Sequence, residues 1–430
     1  MMLLFARVPV ACMGSLALLL IAPTIAAEPV ESGDLSLAQA ISAALAGNPE
    51  LLSSAYTLRA ADARIAQADL GPNPELSVQL EDFAGTGRVR GVDAAQATFA
   101  LSQVIELGGK RGRRRDAAQA ERNLLEIEGE ARQLDVLAEV TRRYIHLATD
   151  QEQLKLARRA TELAQKTLAG VGQRVTAAKS PEVELHRARI ALTRVKVEQE
   201  HAEHKLLSSR RKLAAMWGEN DPRFDAVSAD LFSLRRPGEF EALVTRLKAN
   251  PDFIRFASQA RLRDAELRLA ETRRMPNVQV GAGIRRLQET QDEAFVMSFS
   301  MPLFSGARSA GAIAEASARR EQVAADEQAA WVRAQAQLFE LYQELRHSLT
   351  AAETLRTEVL PQMESVLAQT EYAYRRGRYS YLEWIDAQRE LIDAQRSLIE
   401  AAANAHRYVA EIERLTGEPL AGAPSAVPAN

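Results

Sequence analysis

The chain has 430 residues, of which 26% are charged and 5% aromatic, and its formal net charge is −3. This near-neutral balance gives no electrostatic reason to expect a nucleic-acid partner, because binding nucleic acid requires a basic surface. The abundance of Ala, Leu, Glu, Gln and Arg is typical of long, exposed helices. The only cysteine is Cys12, so we expect neither disulfides nor thiolate metal ligands in the mature chain.

Residues 1–27 have the pattern of a secretory signal peptide. Arg7 is followed by an apolar stretch and then by small residues that end at Ala27, the order expected for export and cleavage. Cys12 lies inside the apolar stretch, so we expect no acyl anchor and do not predict a lipoprotein. No later segment approaches the roughly 20 apolar residues of a membrane-spanning helix, so entry into a membrane would require strands.

After this leader, the sequence contains two similar repeats. Asn48-Pro49-Glu50 returns as Asn250-Pro251-Asp252, at an offset of 202 residues. A period this long, with helices inside it, excludes a short-repeat solenoid and indicates one duplicated folding unit. We therefore predict a first repeat over 28–217, a linker over 218–238, a second repeat over 239–417 and a flexible tail over 418–430.

Each repeat contains two segments in which apolar and polar residues alternate. In the first segment Leu76, Val78 and Leu80 alternate with polar residues, the pattern of a strand with one apolar face. The strands are predicted over 75–82 and 97–104 in the first repeat, and over 277–284 and 295–302 in the second.

Four amphipathic strands cannot close a barrel, and open edges in lipid would leave backbone groups without hydrogen bonds. A membrane-spanning form would therefore need several copies of the chain. Two copies would supply eight strands around a filled interior, whereas three would supply twelve, wide enough for a channel. A transport function would therefore favour three copies of the chain.

Long helices are predicted on both sides of the hairpins. No proline occurs between Pro74 and Pro181, so one helix is expected over 108–174. The second copy predicts a helix over 306–374, with a kink at Pro361. Return helices are predicted over 181–217 and 380–415, and the last has the heptad spacing of a coiled coil.

A basic cluster begins the first long helix, whereas the second copy has only Arg308 at the corresponding place. We expect the cluster to face anionic lipid head groups or solvent and not to select substrate. Its members are Lys110, Arg111, Arg113, Arg114 and Arg115.

Two motifs within this duplicated plan carry a family resemblance. They are Pro72-Asn73-Pro74-Glu75-Leu76 and the run from Leu101 to Arg111, which contains Glu106-Leu107-Gly108-Gly109-Lys110. With them the chain, from Leu35 to Leu420, resembles the TolC family of outer-membrane efflux ducts. It is most similar to the outer-membrane components of proton-driven (RND-type) cobalt, zinc and cadmium resistance pumps.

The resemblance implies a mainly α fold with a small β part. Duplicated, long antiparallel coiled-coil helices would accompany two β-hairpins, which contribute four strands to a twelve-stranded outer-membrane barrel in a homotrimer. It further implies a Gram-negative outer-membrane protein that contacts lipid and extends far into the periplasm.

The function implied is that of a passive exit duct without a cofactor. A periplasmic adaptor (membrane fusion protein) and an inner-membrane RND transporter would feed it with divalent metal cations. No catalytic arrangement of side chains is visible in the sequence, so we do not expect an enzyme. One alternative is an exit duct for drugs or type I secreted proteins; another, of a different class, is a periplasmic coiled-coil scaffold or adaptor without a pore.

The resemblance implies a pore gate where the second long helix turns back. Its predicted residues are Tyr374, Arg378, Glu383 and Asp386. Glu383 and Asp386 are three residues apart and so share one helix face, which spacing alone would assign to solvent. A threefold axis would instead collect six carboxylates in one ring, which could attract cations and pair with Arg376 or Arg378.

The two turns between long and return helices are also predicted to dock the adaptor. The docking residues are Ala177, Ser180, Pro181, Gly377, Tyr379 and Ser380. Gly377 suits a turn with positive φ, and Ala177 stands where the first copy should have glycine. Ser180 and Pro181 are expected as the cap and first residue of the return helix.

Histidines near these turns suggest two further possibilities. His186 aligns with Asp386 at an offset of 200 and could form a pH-sensitive pair with it, although an exposed surface histidine is the simpler interpretation. His201 and His204, beside Glu200 and Glu203, lack a third ligand of known geometry. We therefore predict no metal site.

Overall fold

The computed structural model describes residues 33–418. The predicted signal peptide, Cys12 and the predicted tail beyond Glu418 lie outside the described residues. None of the helices within residues 33–418 is both long enough and apolar enough to cross a membrane.

The described part of the first repeat contains four α-helices. They are α1 (Leu37–Gly47), α2 (Pro49–Ala68), α3 (Lys110–Thr176) and α4 (Glu182–Ala214). The break between α1 and α2 is set by Asn48, whose side chain accepts hydrogen bonds from the backbone N–H groups of Glu50 and Leu51. Pro49 follows at the first helical position, where the missing N–H costs nothing.

The second repeat follows the same plan with one interruption. Its helices are α5 (Phe240–Leu247), α6 (Pro251–Glu271), α7 (Ser305–Thr354), α8 (Leu360–Arg375) and α9 (Tyr381–Thr416). The kink expected at Pro361 occurs as a π-helical turn, Leu355–Val359, just before it. Proline has no N–H and its ring crowds the carbonyl four residues earlier, so the preceding turn widens.

The four strands form one antiparallel sheet in the order β1-β2-β3-β4. They are β1 (Glu75–Glu81), β2 (Gln96–Ile105), β3 (Val278–Leu287) and β4 (Glu293–Ser300). The hairpin of each repeat is therefore continuous with that of the other, through the pairing of β2 with β3. This mainly helical fold with two hairpins confirms the predicted fold class.

One face of the sheet is apolar and exposed. Val78 lies opposite Phe99, which lies opposite Ile284, which in turn lies opposite Phe295. All four side chains are exposed, and Phe295 is exposed to 92%. The alternate positions, such as Ser77 and Ser298, form a more polar opposite face.

The segment predicted as a linker, 218–238, is packed into the helical body. Phe224, Val227 and Leu231 are buried, and Val227 forms a parallel bridge with Leu35. It connects the two repeats as predicted, and its apolar residues between Pro222 and Pro237 join the hydrophobic clusters of the helices.

Two buried asparagines at equivalent positions connect the ends of each repeat. The Asn48 amide donates to the carbonyl of Met216 (2.8 Å), just after α4, and the Asn250 amide donates to the carbonyl of Arg414 (2.7 Å) in α9. Each asparagine thus caps one helix with its oxygen and holds the end of another with its nitrogen.

Helices α4 and α7 pack on different helices of the bundle. Helix α4 packs on α3, whereas α7 packs on α6 and α9. Both carry exposed apolar residues at heptad spacing: Val183, Ile190 and Val197 on α4, and Val332 and Phe339 on α7. Such spacing is typical of a helix face that packs against another helix.

Candidate functional site

The long helices turn back at two tips, which lie side by side. Tip 1 (177–181) joins α3 to α4, and tip 2 (376–380) joins α8 to α9. Two residues after the end of each helix the backbone is left-handed, at Ala178 (φ 53°) in tip 1 and at Gly377 (φ 73°) in tip 2.

The hydrogen bonds of the two tips match at an offset of 199 residues. The N–H of Ala178 donates to the carbonyl of Val175 (2.9 Å), and that of Gly377 donates to the carbonyl of Tyr374 (2.9 Å). The next N–H groups donate to carbonyls one residue further back in each helix, from Lys179 to Arg174 and from Arg378 to Ala373. Both tips thus close as Schellman motifs.

This geometry corrects two expectations for tip 1. The position that favours glycine is Ala178, because Ala177 has an ordinary φ of −82°. Helix α4 begins at Glu182 with Pro181 as its cap residue, one position later than predicted. The Ser180 hydroxyl accepts a hydrogen bond from Arg174 Nε instead (3.1 Å).

An aromatic cluster fills the space behind the tips. Tyr374, Tyr381 and Trp384 are at most 5% exposed, and the rings of Tyr374 and Trp384 stack with centroids 4.9 Å apart. The Tyr374 hydroxyl donates to Glu184 Oε2 (3.0 Å). Burial raises the pKa of Tyr374, and raises the pKa of Tyr381 to about 12. The structure therefore places Tyr374, predicted as a gate residue, inside the tip.

Arg174 connects the two tips, which the sequence did not indicate. Its guanidinium donates to the carbonyl of Lys179 (3.2 Å) in tip 1 and to the carbonyl of Arg375 (2.9 Å) beside tip 2. It also lies 4.8 Å from the centroid of the Tyr374 ring, within range of a cation–π contact. An arginine in the last turn of a helix is common, so its sequence position alone gives no signal.

The two predicted gate carboxylates have different environments. The Ser380 N–H donates to Glu383 Oε2 (2.6 Å), and the Glu383 N–H donates to Ser380 Oγ (3.3 Å), which completes a capping box. The hydrogen bond from the Ser380 backbone lowers the pKa of Glu383. Asp386, one turn further along α9, is exposed and makes no ion pair within residues 33–418.

The arginines of tip 2 do not pair with these carboxylates within the described part of a single chain. The Arg376 guanidinium lies over the Tyr372 ring, 4.6 Å from its centroid. Arg378 is exposed to solvent. Within residues 33–418, Arg378 therefore has no ionic partner, whereas Arg376 is engaged with Tyr372.

The predicted docking residues lie together at this end of the bundle. Ala177, Pro181, Gly377, Tyr379 and Ser380 are exposed, and Ser180 is half-buried. Tyr379 (48% exposed) and the neighbouring Leu382 (51%) give the surface apolar character.

A groove of about 820 Å³ leads away from the tips between α3, α4 and α9. Its lining includes the alanines at 157, 160 and 164 of α3 and the isoleucines at 385 and 392 of α9. Small residues on one helix and branched apolar residues on the facing helix leave room for close packing of a further helix.

The histidines singled out in the sequence are surface residues. His186 lies 3.9 Å from Glu182, and its tip 2 counterpart at the offset of 199 is Ile385, so it is not opposite Asp386. His204 lies 3.7 Å from Glu200. Across residues 33–418, no group of three or more His, Cys, Asp or Glu side chains could hold a metal ion.

The arginines of the basic cluster of α3 are largely exposed to solvent, as expected, but they also pair with carboxylates of their own repeat. Arg111 pairs with Asp69 (3.0 Å), and Arg114 forms two ionic hydrogen bonds with Glu106. These bonds lower the pKa of both carboxyl groups. Asp69, at the end of α2, is distant from Arg111 in sequence, whereas Glu106 follows β2 and is close to Arg114. The two pairs hold the start of α3 against the end of α2 and the end of β2.

A doubled set of long helical hairpins, with an amphipathic sheet at one end and paired tips at the other, is the architecture of efflux channel proteins. The chain belongs to the outer membrane efflux protein family, whose profile matches residues 40–219 and 243–418. The resemblance seen in the sequence is thereby confirmed, and each of the two repeats carries one match.

Relatives and solved structures agree with this assignment. The chain is 29% identical to the cobalt-zinc-cadmium resistance protein CzcC of Cupriavidus metallidurans over 77% of this chain and 78% of that protein. It is 28% identical to the nickel and cobalt resistance protein CnrC of the same organism, over 60% and 62% of the two chains. The crystal structure of CusC is similar in fold, with a TM-score of 0.72 and 17% identity, over 90% of this chain and 92% of CusC.

Proposed function

We propose that this chain is the outer-membrane exit duct of a tripartite, proton-driven efflux system that exports divalent heavy-metal cations. The observation that carries the proposal is the family match over both repeats, joined to a sheet whose exposed face is apolar. Cobalt, zinc and cadmium are the proposed ions, because the relatives are named for resistance to such metals.

The sheet supports assembly as a homotrimer. Within the described residues β1 and β4 each pair on one side only, so two open edges remain. Joining β4 of one copy to β1 of the next closes a ring without exposed edges, and three copies give twelve strands. The exposed apolar heptad faces of α4 and α7 can pair between neighbouring copies in the same ring.

The tips then form the periplasmic end of the duct. Asp386 is the carboxylate we assign to the cation-attracting ring, since it is exposed and unbonded. Glu383 stands beside it but is held by the capping box, and Arg378 is available for pairing across the closed tip. The adaptor is proposed to dock on the tip surface and the adjoining groove, and the inner-membrane RND transporter supplies the energy.

The first test is metal accumulation in a Gram-negative host that keeps the cognate pump and adaptor. Deleting this chain should raise cellular cobalt, zinc and cadmium, and restoring it should reverse the rise. A restored variant that lacks both hairpins is the matched control, since it keeps the helices but cannot form the pore.

The other outcomes identify the alternatives. Unchanged metal levels with retention of organic compounds would favour a drug duct, and loss of a secreted protein would favour a type I duct. A chain that gives no conductance in planar bilayers, but still binds an adaptor, would be a periplasmic scaffold.

A further inference from the structure

A compact patch of arginines and apolar side chains lies where the second repeat passes from strands to helices. We call it the junction patch: Arg273, Arg274, Met275, Leu303, Phe304 and Arg308. The first three residues end the turn that leads into β3, the next two follow β4, and Arg308 is in the first turn of α7. Helix α7 contacts the turn Thr272–Arg274, so these segments are neighbours.

The arginines of the patch differ from those at the same level of the first repeat. There, Arg111, Arg113 and Arg114 pair with carboxylates. In contrast, neither Arg273, Arg274 nor Arg308 makes an ion pair or hydrogen bond through its side chain to any residue of 33–418, and all are exposed.

The patch has a net positive charge. Its three arginines have one carboxylate close in sequence, Glu271. Lys110, whose Nζ lies 2.7 Å from the Met275 carbonyl, belongs to the first repeat and interacts with Glu106, so it is not counted in this charge. Such an excess of cations attracts an anion of compatible shape.

The apolar members of the patch continue the exposed face of the sheet. Phe304 is 83% exposed and Leu303 is 63% exposed, and both follow Phe299 of β4, which is 69% exposed, by a few residues. Phe304 also has a left-handed backbone (φ 63°), which bulky residues rarely adopt. The chain thus holds an exposed aromatic ring in the short connection between β4 and α7, whose first turn carries the unpaired guanidinium of Arg308.

We propose that the junction patch binds the head group of an anionic phospholipid in the periplasmic leaflet of the outer membrane. A guanidinium donates two parallel hydrogen bonds to a phosphate, while its stem and the adjacent Phe304 and Leu303 lie along acyl chains. The inference rests on the proposed membrane location of the sheet. In this proposal, only the second repeat binds lipid head groups of the periplasmic leaflet.

The test measures lipid binding by the full-length, detergent-solubilised protein. Fluorescent phosphatidylglycerol or phosphatidylcholine in mixed micelles is titrated with the protein, and the ratio of the two affinities is recorded. Removing all three arginines, as R273Q/R274Q/R308Q, should reduce the preference for phosphatidylglycerol by about fivefold per arginine, on the order of a hundredfold in all. The matched control R111Q/R113Q/R115Q removes the same charge from the first repeat and should change the ratio less than about threefold.

Three results would overturn the inference. They are an equal loss in both triple variants, no loss in either, and loss of the oligomer in R273Q/R274Q/R308Q with an unchanged lipid ratio. The last would make the patch a contact between copies of the chain. Binding in micelles requires no pore, so bilayer conductance of the same preparation tests the proposed function separately.

Discussion

Substitutions at the left-handed position of each tip should change local stability in opposite directions. A left-handed backbone costs a residue with a Cβ about 1–2 kcal/mol, whereas glycine costs about 0.5–1 kcal/mol in unfolded-state entropy. Ala178 is exposed, so Ala178→Gly loses no packing and should stabilise tip 1 by about 0.5–1 kcal/mol. Gly377→Ala should destabilise tip 2 by a similar amount, because the added Cβ would meet only Arg174 Nη2, at 3.8 Å.

Hydrogen exchange followed by mass spectrometry on the full-length protein is the assay. A change of about 1 kcal/mol in the free energy of local opening changes the opening constant of a tip by about fivefold. Exchange should therefore become slower in tip 1 for Ala178→Gly and faster in tip 2 for Gly377→Ala. The control is Ala177→Gly, which should speed exchange because φ at that position is ordinary. Changes of the same sign in the two tips, or slower exchange in the control, would refute the reasoning.

Three further predictions concern the gate, the repeat ends and pH. Asp386→Asn should lower cation selectivity in planar bilayers more than Glu383→Gln, since glutamine can keep the capping hydrogen bonds. Asn48→Ala and Asn250→Ala should each lower the free energy of unfolding by about 2 kcal/mol, because each loses a helix cap and a buried hydrogen bond; the thermal midpoint reports this. Burial lowers the pKa of His406, so as the pH falls the unfolded chain takes up a proton at this histidine before the folded chain does. The free energy of unfolding should therefore decrease below about pH 6.5, and His406→Gln should reduce that decrease.

Each of these has a result that would contradict it. Equal loss of selectivity in the two gate variants would show that the capping box does not set the two carboxylates apart. Asn48→Asp keeps the cap acceptor but loses the donor to Met216, so wild-type stability in that variant would remove the role given to the buried bond. Parallel thermal curves for wild type and His406→Gln, between about pH 7 and pH 5, would exclude His406 as the titrating group.

The strands and long helices could be predicted because their signals are local. The alternation at Leu76, Val78 and Leu80 gave β1 with its exposed apolar face, and the prolines bounded the long helices. The break between α7 and α8 was expected at Pro361, but the form it takes, a π-helical turn just before the proline, depends on how the whole helix is held.

The details of the tips could not be predicted, because they depend on packing and on single hydrogen bonds. Alignment of the two repeats by sequence pairs Gly377 with Ala177, whereas the matching hydrogen bonds of the two tips pair it with Ala178. Tyr374 looked like a gate residue beside an arginine-rich turn, and only the stacking on Trp384 shows that it is internal. The carboxylate that neutralises Arg111 is Asp69, too far away in sequence for any spacing rule.

The Arg174 guanidinium donates to carbonyls at or beside both tips, so the two tips of one chain are joined and should move together as one piece. In the proposed trimer, the rim of the duct would then have three movable pieces instead of six. Single-channel current should therefore step between a few discrete levels and not vary continuously. About four levels would indicate pieces that move independently, and about two would indicate a concerted opening.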